Sequence, residues 1–460
     1  MQKYLLQKNS CILLYFVLYS YGTSIYYIYT LLYLYFGGII LEKLIINGKT
    51  PLKGDVIISG AKNAAVAILP ATLLINGICT IDNLPNISDV KIYCDILQDI
   101  GAKITWNNEH EITVDTRNVN SFNTPLDKTS KFRASYYLIG ALLGRFKHAQ
   151  VGMPGGCKLG ARPIDQHIKA FEALGAKVDV AQGKIIASAE KLVATSIYLD
   201  VVSVGATINA MLAAVLAEGT TVIDNVAKEP HIVDVANFLN TMGADIRGAG
   251  TDVIKVHGVK ELKGNTTYSV VPDQIEAGTF MLAAVASRGD ITVRNCITKH
   301  LEPLTAKIIE MGAKVHDIDG DNIRVWCDKR PKKINIKTLP YPGYPTDLQP
   351  QMGVALATAE GTSIINESIW ESRFQYTEEL NKMGAKISAH GKTAVFDGVE
   401  KLTGAPVYAT DLRAGAALII AGISAEGQTE IYNLEHIDRG YENIEEKFRK
   451  LGAQIERVVE

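Results

Sequence analysis

A lysine lodged in an otherwise apolar run is the first residue that asks for an explanation. In Ser59-Gly60-Ala61-Lys62-Asn63-Ala64-Ala65 the ammonium of Lys62 is costly to bury unless it faces an acid or an anion. Snorkelling of its stem to solvent is the plain alternative. Asn63 beside it suits a helix cap or a hydrogen bond to a ligand. The second candidate is Cys157, set in the loop Val151–His167 among Gly152, Gly155, Gly156 and Gly160, with Pro154 and Pro163 on either side. Such a loop suits a mobile lid, and Lys158 and Arg162 next to the sulfur favour the thiolate. Arg133, Arg373, Arg413 and Arg439 fall where successive segments are expected to begin helices. There, guanidinium forks and helix dipoles together bind carboxylate or phosphate. Singly, each is more often a surface ion pair worth little; four at comparable places can line one cleft. Asp347, in Tyr344-Pro345-Thr346-Asp347-Leu348-Gln349, reads either as a helix cap or as a base set beside the arginines.

Such groups have to be positioned by a large scaffold. The chain has 460 residues, 47% of them hydrophobic and 21% charged, a globular composition that implies two domains of about 200 residues each. Lys plus Arg number 47 against 49 Asp plus Glu, a net charge of −2, so no global basic field gathers nucleic acid and any anion must be caught locally. The six cysteines show no C-x-x-C pair and no zinc spacing, which suits a reducing cytosol. Apart from Cys157 they read as ordinary buried thiols. Phosphate-loop, zinc-protease and serine-hydrolase motifs are absent.

The scaffold itself is repetitive. An amphipathic run closed by Gly-Ala recurs at Gly101, Gly175, Gly243, Gly312, Gly384 and Gly452, every 68 to 74 residues. Each run reads as a helix ended by a glycine in the left-handed C′ position, followed by a short strand. Earlier in several units an Ala- and Gly-rich apolar segment, such as Ala206–Ala217, Gly278–Ala286, Gly353–Ala359 or Ala414–Ala421, reads as a helix buried on all sides. Six units of this size are too large for a solenoid and predict two domains of three units.

Residues 1–40 are of another material. Thirty uncharged residues run from Cys11 to Ile40, and nine of the 20 tyrosines lie before Leu41. The segment reads either as a membrane anchor, with Lys3 and Lys8 inside, or as a mis-assigned start upstream of Leu41. Its richness in Tyr and Ile favours the second reading.

From Gly60-Ala61-Lys62-Asn63-Ala64, Gly155-Gly156-Cys157-x-x-Gly160-Ala161-Arg162-Pro163, Ser203-Val204-Gly205-Ala206-Thr207, Pro345-Thr346-Asp347 and His436-Ile437-Asp438-Arg439-Gly440-Tyr441-Glu442, the chain resembles the UDP-N-acetylglucosamine 1-carboxyvinyltransferase family of enolpyruvyl transferases. The likeness covers about residue 42 to the C-terminus, and the Cys loop separates this family from its shikimate-pathway relative. The resemblance implies an α/β fold: a two-domain inside-out α/β barrel of six βαβαββ-like repeats with the active site in the interdomain cleft. It implies a catalytic domain from residues 41–62 plus 273–460 and a second three-repeat domain, 63–272, carrying the Cys loop. It also implies transfer of the enolpyruvyl group of phosphoenolpyruvate to the 3′-hydroxyl of UDP-N-acetylglucosamine, with no cofactor or metal, no obligate protein partner, and a cytoplasmic location. A catalytically silent paralogue that only binds the sugar nucleotide is the alternative.

By the same resemblance Cys157 is the general acid and Asp347 the base. Lys62, Arg162 and Arg439 hold phosphate or carboxylate, Arg373 and Arg413 serve the carboxylate side, and Asn63 helps to place the sugar. Arg133, Arg162, Pro163, Ile164, Asp165, Gln166, Ser203, Val204 and Ile369 cradle the uridine diphosphate sugar. Two positions depart from the family pattern: Val201 stands where some members have Lys, and His231 where an acid is common.

Overall fold

The computed structural model describes residues 42–130, 133–153 and 163–459; the expectations for residues 1–40 lie outside this range. Residues Leu44–Glu456 form one compact unit. Of a second unit, Met1–Lys43 with Arg457–Glu460, the described part contains an ion pair between Arg457 and Glu42 at 3.0 Å.

All six Gly-Ala helix ends close in one way. Gly101, Gly175, Gly243, Gly312, Gly384 and Gly452 have φ between 87° and 107°, a region glycine enters without a Cβ penalty. In each, the N–H of the following alanine bonds the carbonyl five residues back, as Ala102 does to Leu97 and Ala453 to Phe448. This is the double-bonded helix terminus that the sequence spacing predicts.

The strands assemble into five four-stranded sheets and one three-stranded sheet among the described residues. In a typical unit a short edge strand lies parallel to the next strand across a helix, and a β-hairpin completes the sheet. Asn335–Lys337, Thr362–Asn366, Thr393–Asp397 and Lys386–His390 show the pattern. In the three-stranded sheet a parallel bridge from Asn123 to Gln150 marks the place of the edge strand. The helices used below are Lys62–Ala71 (α1), Ser88–Asp99 (α2), Tyr137–Phe146 (α3), Val204–Ala214 (α4), Pro230–Thr241 (α5), Gln274–Ser287 (α6), Gln349–Ala357 (α7) and Leu412–Ser424 (α8). Helix α3 packs on both α1 and α4, and α6, α7 and α8 pack on one another. Their small apolar residues are buried nearly all round, which lets the backbones approach closely with sheets outside.

Apolar side chains gather into two cores. One runs from Ala61 to Val270; the other takes Leu44–Ile58 and Ile275–Ile455. The chain changes core twice, and the two crossings are bonded together: Ala61 N–H to Val271 O at 2.7 Å and Asp273 N–H to Ser59 O at 2.9 Å. Each crossing leaves a strand behind. Lys53–Ile57 joins Asp290–Arg294 in the second core's sheet, and Thr266–Ser269 joins Ile78–Asp82 in the first core's. The result is a two-domain α/β architecture of six repeats with helices inside and sheets outside.

Candidate active site

Where the two cores face each other, α1 opens on Lys62 at 12% side-chain exposure. Its Nζ lies 3.0 Å from Oδ2 of Asp89, the second residue of α2, and Asp89 Oδ1 accepts from Nε of Arg439 at 2.9 Å. Burial pushes the Asp89 carboxyl up, but Lys62 and then Arg439 outweigh it and hold the group below its usual range. One buried carboxylate thus gathers two cations from residues far apart in sequence. The approach is tight: a Cβ added at Gly440 would sit 2.8 Å from Cδ of Lys62 and 2.6 Å from a methyl of Leu412.

The second group centres on Asp347. Its Oδ2 accepts from Nε and Nη2 of Arg413 at 3.2 and 3.0 Å, and its Oδ1 from Nη2 of Arg373 at 3.3 Å. Both arginine side chains are almost fully buried, whereas Asp347 keeps 29% exposure, so the carboxylate is the open face of the cluster. Arg413 also lies over the ring of Tyr441 at 5.3 Å. Burial raises the Asp347 carboxyl, yet Arg413 and Arg373, with Lys62 behind them, hold it well below the carboxylate range. The influence of Lys62 joins the two groups into one electrostatic site. Asp411, at the start of α8, caps the backbone N–H groups of Arg413 and Ala414 and lies 3.7 Å from Nη1 of Arg373.

Further out, Arg133 stacks over Tyr136 at 4.8 Å, and Tyr136 in turn meets the ring of buried His167 at 5.5 Å. His167 contacts Asn209 at 2.9 Å, and burial pulls its pKa down to about 4. Ser203 caps α4 through Ala206 N–H, and Val204 is the first residue of that helix. Gln166 is buried and engaged with Asp165 and Asp200. Pro163 is exposed and Ile164 leans on the first core. Ile369 donates its N–H to Glu367 at 2.8 Å. Cys157 and Arg162 lie outside the described residues. Cys79, Cys94, Cys296 and Cys327 are buried free thiols, the first three pushed up by burial to about 12, 12 and 11; none is poised as a thiolate.

Several local expectations need correction. Asp347 caps no helix: it sits in the tight turn Thr346–Leu348, and Leu348 precedes α7 without a side-chain cap. Its oxygens are spent on guanidinium groups instead. Asn63 caps nothing either, because Ala61 occupies the cap position and Asn63 is already inside α1. Arg439 lies in a turn, ahead of the helix Ile444–Lys450, so Asp89 rather than a helix end defines its place.

Sequence reasoning overlooked Asp89, Asp273 and Glu367. Asp273 Oδ1 caps α6, while its Oδ2 accepts the backbone N–H of Lys62 at 3.2 Å, so one side chain anchors helices of both cores. Glu367 holds Thr346, next to the base, and Ile369. The only sequence signal for Asp273 was an acid before an apolar helix. Among the described residues no group of His, Cys, Asp and Glu side chains is arranged to hold a metal ion, and no helix is long and apolar enough to cross a membrane.

Crossed two-domain halves with inner helices and a cation-lined junction define the class of the enolpyruvyl, or carboxyvinyl, transferases. The family model described as EPSP synthase (3-phosphoshikimate 1-carboxyvinyltransferase) matches residues 46–448. The solved enolpyruvyl transferase NikO from Streptomyces tendae is similar with a TM-score of 0.83 and 26% identity, covering 92% of this chain and 100% of that one. EPSP synthase from Acinetobacter baumannii, at 19% identity and a TM-score of 0.69 over 91% of this chain and 100% of its own, shares the fold. The UDP-N-acetylglucosamine 1-carboxyvinyltransferase of Clostridium botulinum is 61% identical over 91% of this chain and 100% of its own length. One from Clostridium acetobutylicum is 58% identical, covering 91% and 99%. The chain belongs to the UDP-N-acetylglucosamine 1-carboxyvinyltransferase family.

Proposed function

We propose that this enzyme transfers the enolpyruvyl group of phosphoenolpyruvate to the 3′-hydroxyl of UDP-N-acetylglucosamine and releases phosphate, the first committed step of peptidoglycan synthesis. The observation that carries this reading is the convergence of Lys62, Arg439, Asp347, Arg373 and Arg413 in a chain 61% identical to a relative of that name over its full length. Residues 41–62 with 273–460 form the catalytic domain and 63–272 the other; the breaks between the two cores, between Ile58 and Ala61 and between Val270 and Ile275, fall close to both boundaries. The reaction belongs in the cytosol, in keeping with the free thiols of Cys79, Cys94, Cys296 and Cys327.

The acceptor oxygen adds to C2 of phosphoenolpyruvate while C3 takes a proton, giving a tetrahedral ketal; loss of phosphate and of a C3 proton then restores the double bond. Cys157 supplies the proton and Asp347 receives that of the hydroxyl. Lys62, Arg162 and Arg439 neutralise the phosphate or carboxylate, and Asn63 orients the sugar. Arg373 and Arg413 act first on the base. They keep Asp347 ionised, and an incoming carboxylate that competes for Arg413 weakens that hold and makes Asp347 more basic. Arg133, Pro163, Ile164, Asp165, Gln166, Ser203, Val204 and Ile369 receive the uridine diphosphate portion, with Arg133 steered by its stack on Tyr136. At position 201 the exposed Val offers the diphosphate no charge.

The acid assignment is tested by phosphate release from Cys157→Ala and Cys157→Asp. Loss of a general acid costs about 10²–10⁴-fold in turnover, so the Ala variant is expected to fall by that order. The Asp variant, still able to donate a proton, should retain clearly more activity. Parent-like release from the Ala variant, or equal losses in both, would contradict the role.

A further inference from the structure

Glu229 immediately precedes α5, on the first core, yet its carboxyl reaches the second. Its Oε1 accepts the N–H of Tyr341 at 3.4 Å, long for an N–H···O bond and so with room to tighten. Its Oε2 is buried without a hydrogen-bond partner. Tyr341 lies in the turn Leu339–Pro345, which bonds to itself through Leu339 N–H to Tyr344 O at 3.0 Å and Gly343 N–H to Pro340 O at 2.8 Å. That turn leads directly into Thr346 and Asp347.

Packing behind the turn is thin. A small void is lined by His300, Pro303, Tyr341, Gly343 and Pro345, and an open hollow of about 440 Å³ touches Tyr344. One end of the turn is fixed through Thr346, which bonds Glu367 at 2.9 Å and takes a hydrogen bond from Arg373 at 3.2 Å. At Tyr341 the hold comes from the other core, through Glu229. Burial, with the charge of Asp347 adding to it, pushes the Glu229 carboxyl above its usual range, so the contact brings an acceptor near the base without the full cost of two facing carboxylates.

We propose that Glu229 is a positioning residue for the transfer reaction: by gripping Tyr341 from the opposite core it fixes the turn that carries Asp347, so the base is in place only when the two halves are together. This rests on the enolpyruvyl-transfer reading above. The test is steady-state phosphate release by the parent, Glu229→Ala, Glu229→Gln and Glu229→Asp, with melting temperatures as a check on folding. Glu229→Ala should lower kcat about 30-fold and leave the KM for phosphoenolpyruvate within twofold. Glu229→Gln, which keeps an acceptor oxygen at the same reach, should recover most of the loss, and Glu229→Asp, one methylene short, should not. If Glu229→Ala does not fold, the contrast between Gln and Asp decides alone. Equal kcat in those two variants, or a Glu229→Ala enzyme within twofold of the parent, overturns the proposal. A parent that releases no phosphate refutes the transferase reading itself.

Discussion

Lys62 and Arg439 illustrate how a charge acquires meaning only through its surroundings. Each alone is an ordinary basic residue. Held on the single buried carboxylate of Asp89, they retain one net positive charge between them, directed at the junction of the two cores. Removing one partner of such a buried group leaves an uncompensated charge costing about 3–5 kcal/mol. The arrangement also depends on what is missing at residue 440. Because a Cβ there would lie 2.6 Å from a methyl of buried Leu412 and 2.8 Å from the Lys62 stem, Gly440→Ala should displace both the leucine side chain and the ammonium. We expect the KM for phosphoenolpyruvate to rise about tenfold with a melting temperature within a few degrees of the parent, read by kinetics and thermal unfolding. An unchanged KM would show that Lys62 does not contact that substrate. Lys62, Asp347 and the arginines could be picked out of the sequence because a cation or an acid beside an apolar helix is anomalous. Asp89 could not, because an acid in the first turn of an amphipathic helix is the ordinary complement to its dipole. Its partner Arg439 is 350 residues away.

Among the elements, α5 carries a buried acid. Asp234 on this helix is 1% exposed and bonds the hydroxyl of Tyr268 at 2.6 Å and the N–H of Val271 at 3.3 Å, so it fastens the returning crossing. Burial lifts its pKa to about 6, from about 3.9 in an unfolded chain. A raised carboxyl contributes stability below the unfolded value and loses it as pH climbs through the folded one, here about 2 kcal/mol between pH 4 and 6. His167 and His231 act in the opposite direction. Burial lowers both to about 4, so their contribution is present above about 6.5 and is lost as pH falls through 4. Asp234→Asn removes the first effect and leaves the second. We therefore expect the rise in urea midpoint from pH 4.5 to pH 7 to be steeper in Asp234→Asn than in the parent; equal rises would show that Asp234 does not titrate in this window. The helices and their glycine ends were legible because their spacing reports local backbone geometry. The exact caps were not: Asp273 and Asp411 hold the N-termini of α6 and α8, while Asn63 and Asp347, expected as caps, cap no helix.

For the whole molecule, repetition fixes the fold and its interruption makes the site. Six similar units bury their apolar helices in two cores, and a chain that crosses between them twice brings residues near both ends of the chain together. The six-fold period was visible in the sequence because each unit repeats the same local solution. Which residues would meet across the junction was not, since Asp273 reaching Lys62 and Glu229 reaching Tyr341 are properties of the crossing and not of any one unit. This junction makes the chain a sugar-nucleotide enolpyruvyl transferase. That assignment is tested most directly by measuring inorganic phosphate release from phosphoenolpyruvate with UDP-N-acetylglucosamine or shikimate 3-phosphate as acceptor. Phosphate is expected in one-to-one yield with the sugar nucleotide and at background with shikimate 3-phosphate; the reverse pattern, or no release with either, would overturn the assignment.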